Sequence, residues 1–307
     1  MPKSETEIPD PPVKKEASRF RIFKLLLKIT VTVICFWYIS RKINFSEAAN
    51  ALKKADWWFL LLAVLALALS KLLASFRLNI YFRNINIHLP QRENIKLYWL
   101  GMFYNLFLPG AISGDAYKVI VLKKKFDVSY KKITAAVLLD RFSGLLALAL
   151  ILSAYGIVVM ENKIQDIVLI TVSLGAVIAF SFIVKFIFKD FIPGLWPTFL
   201  WGVAVQALQV ICMYCIMKAV HLPLQQAEWI FIFLTAAVIS VIPISLGGGL
   251  GVREFVFREG AIYFALNPSI AVIISLLFYL CNVLTSAGGA YFIFHDPLKE
   301  ENGKKAV

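Results

Sequence analysis

The chain has 307 residues, is 60% hydrophobic with a mean hydropathy of +0.75, and carries a formal net charge of +13. That hydropathy excludes an ordinary soluble domain. With no soluble domain to carry it, the basic surplus sets membrane orientation and attracts anionic headgroups, and nucleic-acid binding is not expected.

Residues 1–20 are rich in Pro, Lys and Glu and read as a disordered cytoplasmic tail; there is too little apolar sequence there for a cleavable signal. A membrane domain is expected over 21–295, then a short cytoplasmic tail over 296–307. The first span is 22–40, flanked by Arg19, Arg21, Lys24 and Lys28. The second is 57–76, opened by the interfacial pair Trp57-Trp58, with Lys71 near its end and Arg77 and Arg83 beyond it. An apolar run over 95–112 stops at Pro109-Gly110, and a basic, amphipathic connection follows over 115–132. Further spans are expected over 133–160, 167–188 and 196–218. Residues 229–242 form an apolar helix that ends at Pro243 and the run Gly247-Gly248-Gly249. A charged helix opens at Arg253-Glu254 and continues to about residue 266, and the last span is 269–294.

Two breaks therefore interrupt the apolar sequence, one in each half. A bilayer has no water to satisfy broken backbone, so such breaks survive where protein or a wet cavity covers them. Paired interruptions of this kind point to a transporter's substrate site. The expected fold is an all-α polytopic integral membrane protein, with about six transmembrane helices, two re-entrant or broken helical hairpins, and an inverted repeat inferred from hydropathy. It is placed in the cell (cytoplasmic) membrane, multi-pass, with both termini cytoplasmic. The positive-inside rule supports this at 116–132 and at the C-terminal tail, whereas Arg41, Lys42, Lys53 and Lys54 run against it.

Around the first break, Asn105, Gly110, Gly114, Asp115 and Lys118 are candidate headgroup contacts. Asp115 and Lys118 are three apart and can pair on one helical face, and a turn before a helix offers free N–H groups for phosphate. The plain alternative is a surface loop with an N-capping Asp. Asp140 and Arg141 are costly if deep, and as sequence neighbours on a helix they point apart. Each needs a partner from Asp115, Lys118, Arg253 or Glu254, or else sits at the interface. At the second break, Gly248, Gly249 and Gly251 permit φ > 0. Glu254 and Arg258 are spaced for a local ion pair, leaving Arg253 as a phosphate receptor; the alternative is an exposed loop with ordinary surface charges.

Catalysis is not expected. There is no G-x-S-x-G elbow, Ile112 stands where the motif of intramembrane aspartyl proteases needs Gly, and the glycine run lacks the strand and Lys-Ser/Thr of a nucleotide loop. Cys212 and Cys215 form a C-x-x-C without a second ligand pair, Cys35 and Cys281 lie in apolar sequence, and His88, His221 and His295 do not cluster, so neither metal nor cofactor is expected.

Three motifs in order carry a resemblance. They are Asn105-Leu-Phe-Leu-Pro109-Gly110 followed by Ser113-Gly114-Asp115 and Lys118, then Asp140-Arg141-Phe-Ser-Gly144-Leu145, then Pro243-Ile-Ser245 through Gly251-Val-Arg253-Glu254. Over residues 20–295 the chain resembles the lysylphosphatidylglycerol synthase transmembrane-domain, or flippase-like, family, as a stand-alone member without the synthase domain. It departs from that pattern in having Asp140 for a usual Glu, Lys118 for a usual Arg and Ser113 for a frequent Gly. The resemblance implies the lipid-handling half of larger relatives that also carry an aminoacyl-transferase domain. The expected activity is binding and moving an anionic lipid between leaflets, a phospholipid or a polyprenyl-phosphate-linked one. The expected partners are that lipid and the bilayer, and a homo-oligomer is compatible with the sequence. The alternative is a non-transporting scaffold or an accessory subunit of a cell-envelope or lipid-modifying enzyme.

Overall fold

The computed structural model describes residues 53–107, 112–241, 251–295 and 297–298. The expected first span, the N-terminal tail, most of the C-terminal tail, and the tips of both breaks, Gly110, Gly248 and Gly249 included, lie outside the described residues.

Every described element is helical: α1 (Trp57–Asn84), α2 (Gln91–Phe107), α3 (Ser113–Lys125), α4 (Tyr130–Val159), α5 (Lys163–Phe186), α6 (Leu195–Ala219), α7 (Ala227–Ile239), α8 (Val252–Tyr263), α9 (Pro268–Ala287) and α10 (Tyr291–Phe294). A 3-10 segment, Lys189–Gly194, leads into α6, and another, Gly288–Ala290, joins α9 to α10. The long helices start where the sequence supplies caps. The Asp56 carboxylate accepts from the Trp58 N–H at 2.9 Å, and the Asn162 side chain accepts from the Ile164 N–H at 3.0 Å. Asn267 accepts from the Ser269 N–H at 2.9 Å, with Pro268 in the first turn.

Five of these segments are long and apolar enough to cross a bilayer: Trp57–Asn84, Tyr130–Val159, Lys163–Phe186, Lys189–Ala219 and Pro268–Phe294. The protein is an all-α polytopic membrane protein. Trp57 and Trp58 are exposed at the start of α1, as an interfacial belt requires. On α5, Ile164, Ile167, Val172, Ile178 and Phe182 are exposed too, a face suited to lipid and not to water.

Each break joins two short helices that pack on each other, α2 on α3 and α7 on α8. At about 1.5 Å per residue none of the four spans a ~30 Å hydrocarbon layer. Among the described residues, α2 ends at Phe107 and starts at Gln91, not at 95, and most of the expected 115–132 connection is helix α3. The larger difference is at α1, which continues eight residues past the expected end at Phe76 and carries Arg77 and Arg83 inside the helix. Hydropathy falls once charges accumulate, as at Lys71, Arg77 and Arg83, whereas a helix in a protein continues wherever such a charge finds a partner.

The core is divided. One apolar cluster gathers Leu60, Ala63 and Leu67 of α1 with the distal halves of α4 and α6 and with α7, α8 and α9. A second gathers Leu78, Tyr81 and Phe82 of α1 with the proximal halves of α4 and α6 and with α5. Between them runs a band of buried polar groups: Ser70, Ser75 and Arg77 on α1, Asp140 and Ser143 on α4, and Gln206 on α6. Buried polar groups in an apolar bundle are costly unless they bond to one another, so this band is where a function is to be sought.

Candidate functional site

Arg77 anchors the band. The residues Ala63, Leu67, Ser70, Ala74 and Arg77 recur at three- and four-residue spacing and are all buried, so Arg77 faces inward on the stripe that packs against α6. Its Nε donates to Asp140 Oδ1 at 2.7 Å and its Nη2 to Asp140 Oδ2 at 3.1 Å, a forked pair in which both side chains are almost fully buried. The same face of α4 explains Gly144, one turn from Asp140. A Cβ there would stand 2.8 Å from Arg77 Nη1, and one at Gly202 of α6 would stand 3.4 Å from that atom. Asp140 supplies the charge and the two glycines supply the room. Arg77 Nη1 is itself sealed and has no hydrogen-bond partner among the described residues. Gln206 closes the band by donating Nε2 to the Gly144 carbonyl at 3.2 Å.

The sequence suggested Asp115, Lys118, Arg253 or Glu254 as partners for Asp140 and Arg141. The structure gives Asp140 to Arg77, which sequence reasoning placed beyond the span and left out. Its inward stripe of small residues was the available signal. Arg141 does meet Asp115, through a hydrogen bond from its Nε to Oδ2. Lys118 Nζ donates to the other oxygen, Oδ1, at 3.0 Å, so the expected pairing three residues apart is present. Burial disfavours the charged form of Asp115, but the two cations outweigh it and hold its carboxyl below the ordinary carboxylate range. Lys118 also lies 4.5 Å over the Tyr98 ring of α2.

The start of α3 is less open than its sequence suggests. The Gly114 N–H donates to Asn105 Oδ1 at 2.8 Å, the Asp115 N–H to the Ile112 carbonyl at 3.1 Å, and the Ser113 hydroxyl to the Tyr104 carbonyl at 2.9 Å. Free N–H groups were expected at this helix start, and those of Gly114 and Asp115 are taken from within. Gly114 serves close approach: a Cβ on it would fall 1.9 Å from the Gly101 carbonyl oxygen, so α2 and α3 touch backbone to backbone. Asn105 and Gly114 therefore lock the hairpin, and Asp115, Lys118 and Arg141 form the charged group beside it. Asp115 and Arg141 border a groove of about 330 Å³ walled by Ile112, Val119, Ile120, Val137 and Leu138.

At the second break Gly251 has φ +88° and precedes α8. The Glu254 carboxylate accepts from the Gly251 N–H and so covers the helix start. The expected Glu254–Arg258 pair is not formed among the described residues; Arg258 Nη1 reaches Glu259 Oε1 at 3.1 Å instead, because Glu254 is spent on the backbone. Arg253 lies with its guanidinium carbon 4.7 Å over the Phe278 ring of α9. The residue is half-buried, but its Nε is sealed and has no hydrogen-bond partner among the described residues. No cluster of three metal-ligating side chains occurs among the described residues.

The sequence profile of a family described as "Lysylphosphatidylglycerol synthase TM region" matches residues 25–191 and 186–289. The chain belongs to this family. In the lysylphosphatidylglycerol synthase transmembrane-region family, a UPF0104 membrane protein of Pyrococcus horikoshii is 31% identical over 119 residues, which cover 38% of this chain and 34% of that relative. The chain therefore spans about a third of the length of the curated relative it matches. The motif Asp140–Gly144 acquires a physical account here, since both residues address one guanidinium on a neighbouring helix.

Proposed function

We propose that this protein binds an anionic lipid and moves it between leaflets of the cell membrane, with its termini cytoplasmic and its two broken hairpins re-entrant from opposite sides. The observation that carries this reading is Arg253, a half-buried residue at a helix start whose Nε has no hydrogen-bond partner among the described residues. A phosphate oxyanion supplies the acceptor that the protein withholds. The groove beside Asp115 and Arg141 is mostly apolar with a charged edge, which suits an acyl chain below a headgroup. Asp115 would hold Lys118 and Arg141 until a phosphate replaces it, an exchange that avoids an unpaired buried charge. The lipid is a phospholipid or a polyprenyl-phosphate-linked one.

The test is lipid movement in proteoliposomes holding a fluorescent anionic phospholipid and an impermeant quencher. Wild type is expected to expose inner-leaflet label, and Arg253→Ala to slow this at least tenfold, about 1.4 kcal/mol, with unchanged thermal stability. No movement by wild type overturns the reading. A second reading, a non-transporting scaffold or an accessory subunit of a lipid-modifying enzyme, draws on a specific observation: Arg77, Asp140, Asp115 and Lys118 are all partnered internally, as purely structural charges would be.

A further inference from the structure

Lys71 is the fifteenth of the 28 residues of α1, about 20 Å from either end of that helix at ~1.5 Å per residue. It shares a helical face with Leu67, Ala74, Ser75 and Leu78, all buried, while the lipid-side positions Leu61, Leu62, Leu65, Leu69 and Phe76 are exposed. Its stem therefore enters the bundle. Among the described residues no carboxylate lies within 4 Å of it. The charges within Coulombic reach are Arg253 of α8 and Arg77 of α1, both of the same sign, with the Cys212 thiol as the remaining neighbour. Arg77 is neutralised by Asp140. Among the described residues neither Lys71 nor Arg253 has a salt bridge of this kind; Glu254 attracts Arg253 through space but is bonded to the Gly251 N–H. On α9, Ser275 next to Phe278 is fully buried and its hydroxyl has no partner.

Two like charges turned toward the interior of a bundle repel, and each is only partly exposed to solvent. Such a pair persists where an anion completes it. We propose that Lys71 and Arg253 together form the receptor for a phosphate oxyanion at the centre of the bundle, with Lys71 as the point charge and Arg253 as the directed donor. This rests on the reading of Arg253 given above and adds a residue on another helix. It makes the site a bridge between α1 and the α8–α9 pair, so an occupant would tie the two halves of the core together. The shared chemistry is a phosphate group, carried either by a lipid headgroup or by free phosphate.

The experiment uses the full chain in detergent and native mass spectrometry, with phosphatidylglycerol, phosphatidylcholine and pyrophosphate as probes, on wild type, Lys71→Gln, Lys71→Arg and Lys71→Met. Wild type is expected to retain phosphatidylglycerol over phosphatidylcholine. Lys71→Gln should reduce that retention at least tenfold, with Lys71→Arg retaining most of it. Lys71→Met should melt no lower than wild type without lipid, since it removes a partly buried charge that forms no salt bridge among the described residues; a marked drop would make Lys71 structural and overturn the proposal. Retention by Lys71→Gln equal to wild type overturns it as well, while leaving the Arg253 reading standing. Lys71-dependent binding of pyrophosphate without any lipid adduct supports the receptor with free phosphate as its occupant and removes the lipid reading. Lipid retention that depends on Lys71 in a protein that moves no lipid upholds the receptor and sinks translocation alone.

Discussion

Truncating one member of the Arg77–Asp140 pair should be among the costliest single changes in this protein. In Asp140→Ala the Arg77 guanidinium, 5% exposed, loses both of its forked bonds and keeps its charge inside the bundle. For charges ~4 Å apart at an effective dielectric near 20, the lost attraction is about 4 kcal/mol. Measured losses on breaking buried pairs run to about 3–5 kcal/mol. Arg77→Met should cost a similar amount, because Asp140 is then the orphan. The double variant Arg77→Met/Asp140→Leu leaves neither charge exposed to hydrocarbon, and it should lose less than either single change. Equilibrium unfolding in mixed micelles of a mild and a denaturing detergent measures all three. Single losses below about 1 kcal/mol that simply add in the double variant would mean that the pair is hydrated, and the dry polar band argued for here would not exist.

Gly144→Ala places a methyl 2.8 Å from Arg77 Nη1 and should cost about 1–3 kcal/mol by overpacking, a loss that the Arg77→Met background relieves; thermal melts of the two variants check this. Gly114→Ala should be worse, since its methyl meets backbone at 1.9 Å and neither helix can yield without separating α2 from α3; a cysteine pair across those helices would lose its cross-linking. Asp115, on a helix outside the five spans, has its pKa lowered, so its contribution is complete above the ordinary carboxylate value of about 4 and is lost as pH falls through the lower folded value. Stability should therefore be insensitive to this group between pH 7 and 5 and should fall only under stronger acid, and Asp115→Asn should remove that acid-dependent part of a pH–melting curve.

The fold class was legible because the spans are long and apolar, and bilayer thickness converts such runs directly into helices. Asp115 with Lys118 was legible because helical spacing alone decides it. The Glu254–Arg258 pair failed for an equally local reason: a carboxylate at the third helical position can turn back onto the Gly251 N–H, and that bond competes with the side chain one turn on. Arg77 was hidden by the hydropathy signal itself, which falls away as Arg77 and Arg83 follow Lys71. The inward stripe of Ala63, Leu67, Ser70 and Ala74 was visible, but only with the helix carried past Phe76 does it end on an arginine.

By composition and periodicity, then, the amino-acid order determined that this chain is helical, that it lies in a membrane, and that two hairpins interrupt it, since these follow from backbone satisfaction within a single segment. Which charge meets which across separate helices was settled by packing. Asp140 finds Arg77 across 63 positions because Gly144 and Gly202 leave space there, and Arg141 finds Asp115 because α3 folds onto α4. Lys71 and Arg253 come within Coulombic reach of one another, with no salt bridge from either to a carboxylate among the described residues, only after α1, α8 and α9 have assembled. Such pairings depend on the rotation of each helix about its axis, a quantity set by the shapes of all its neighbours at once.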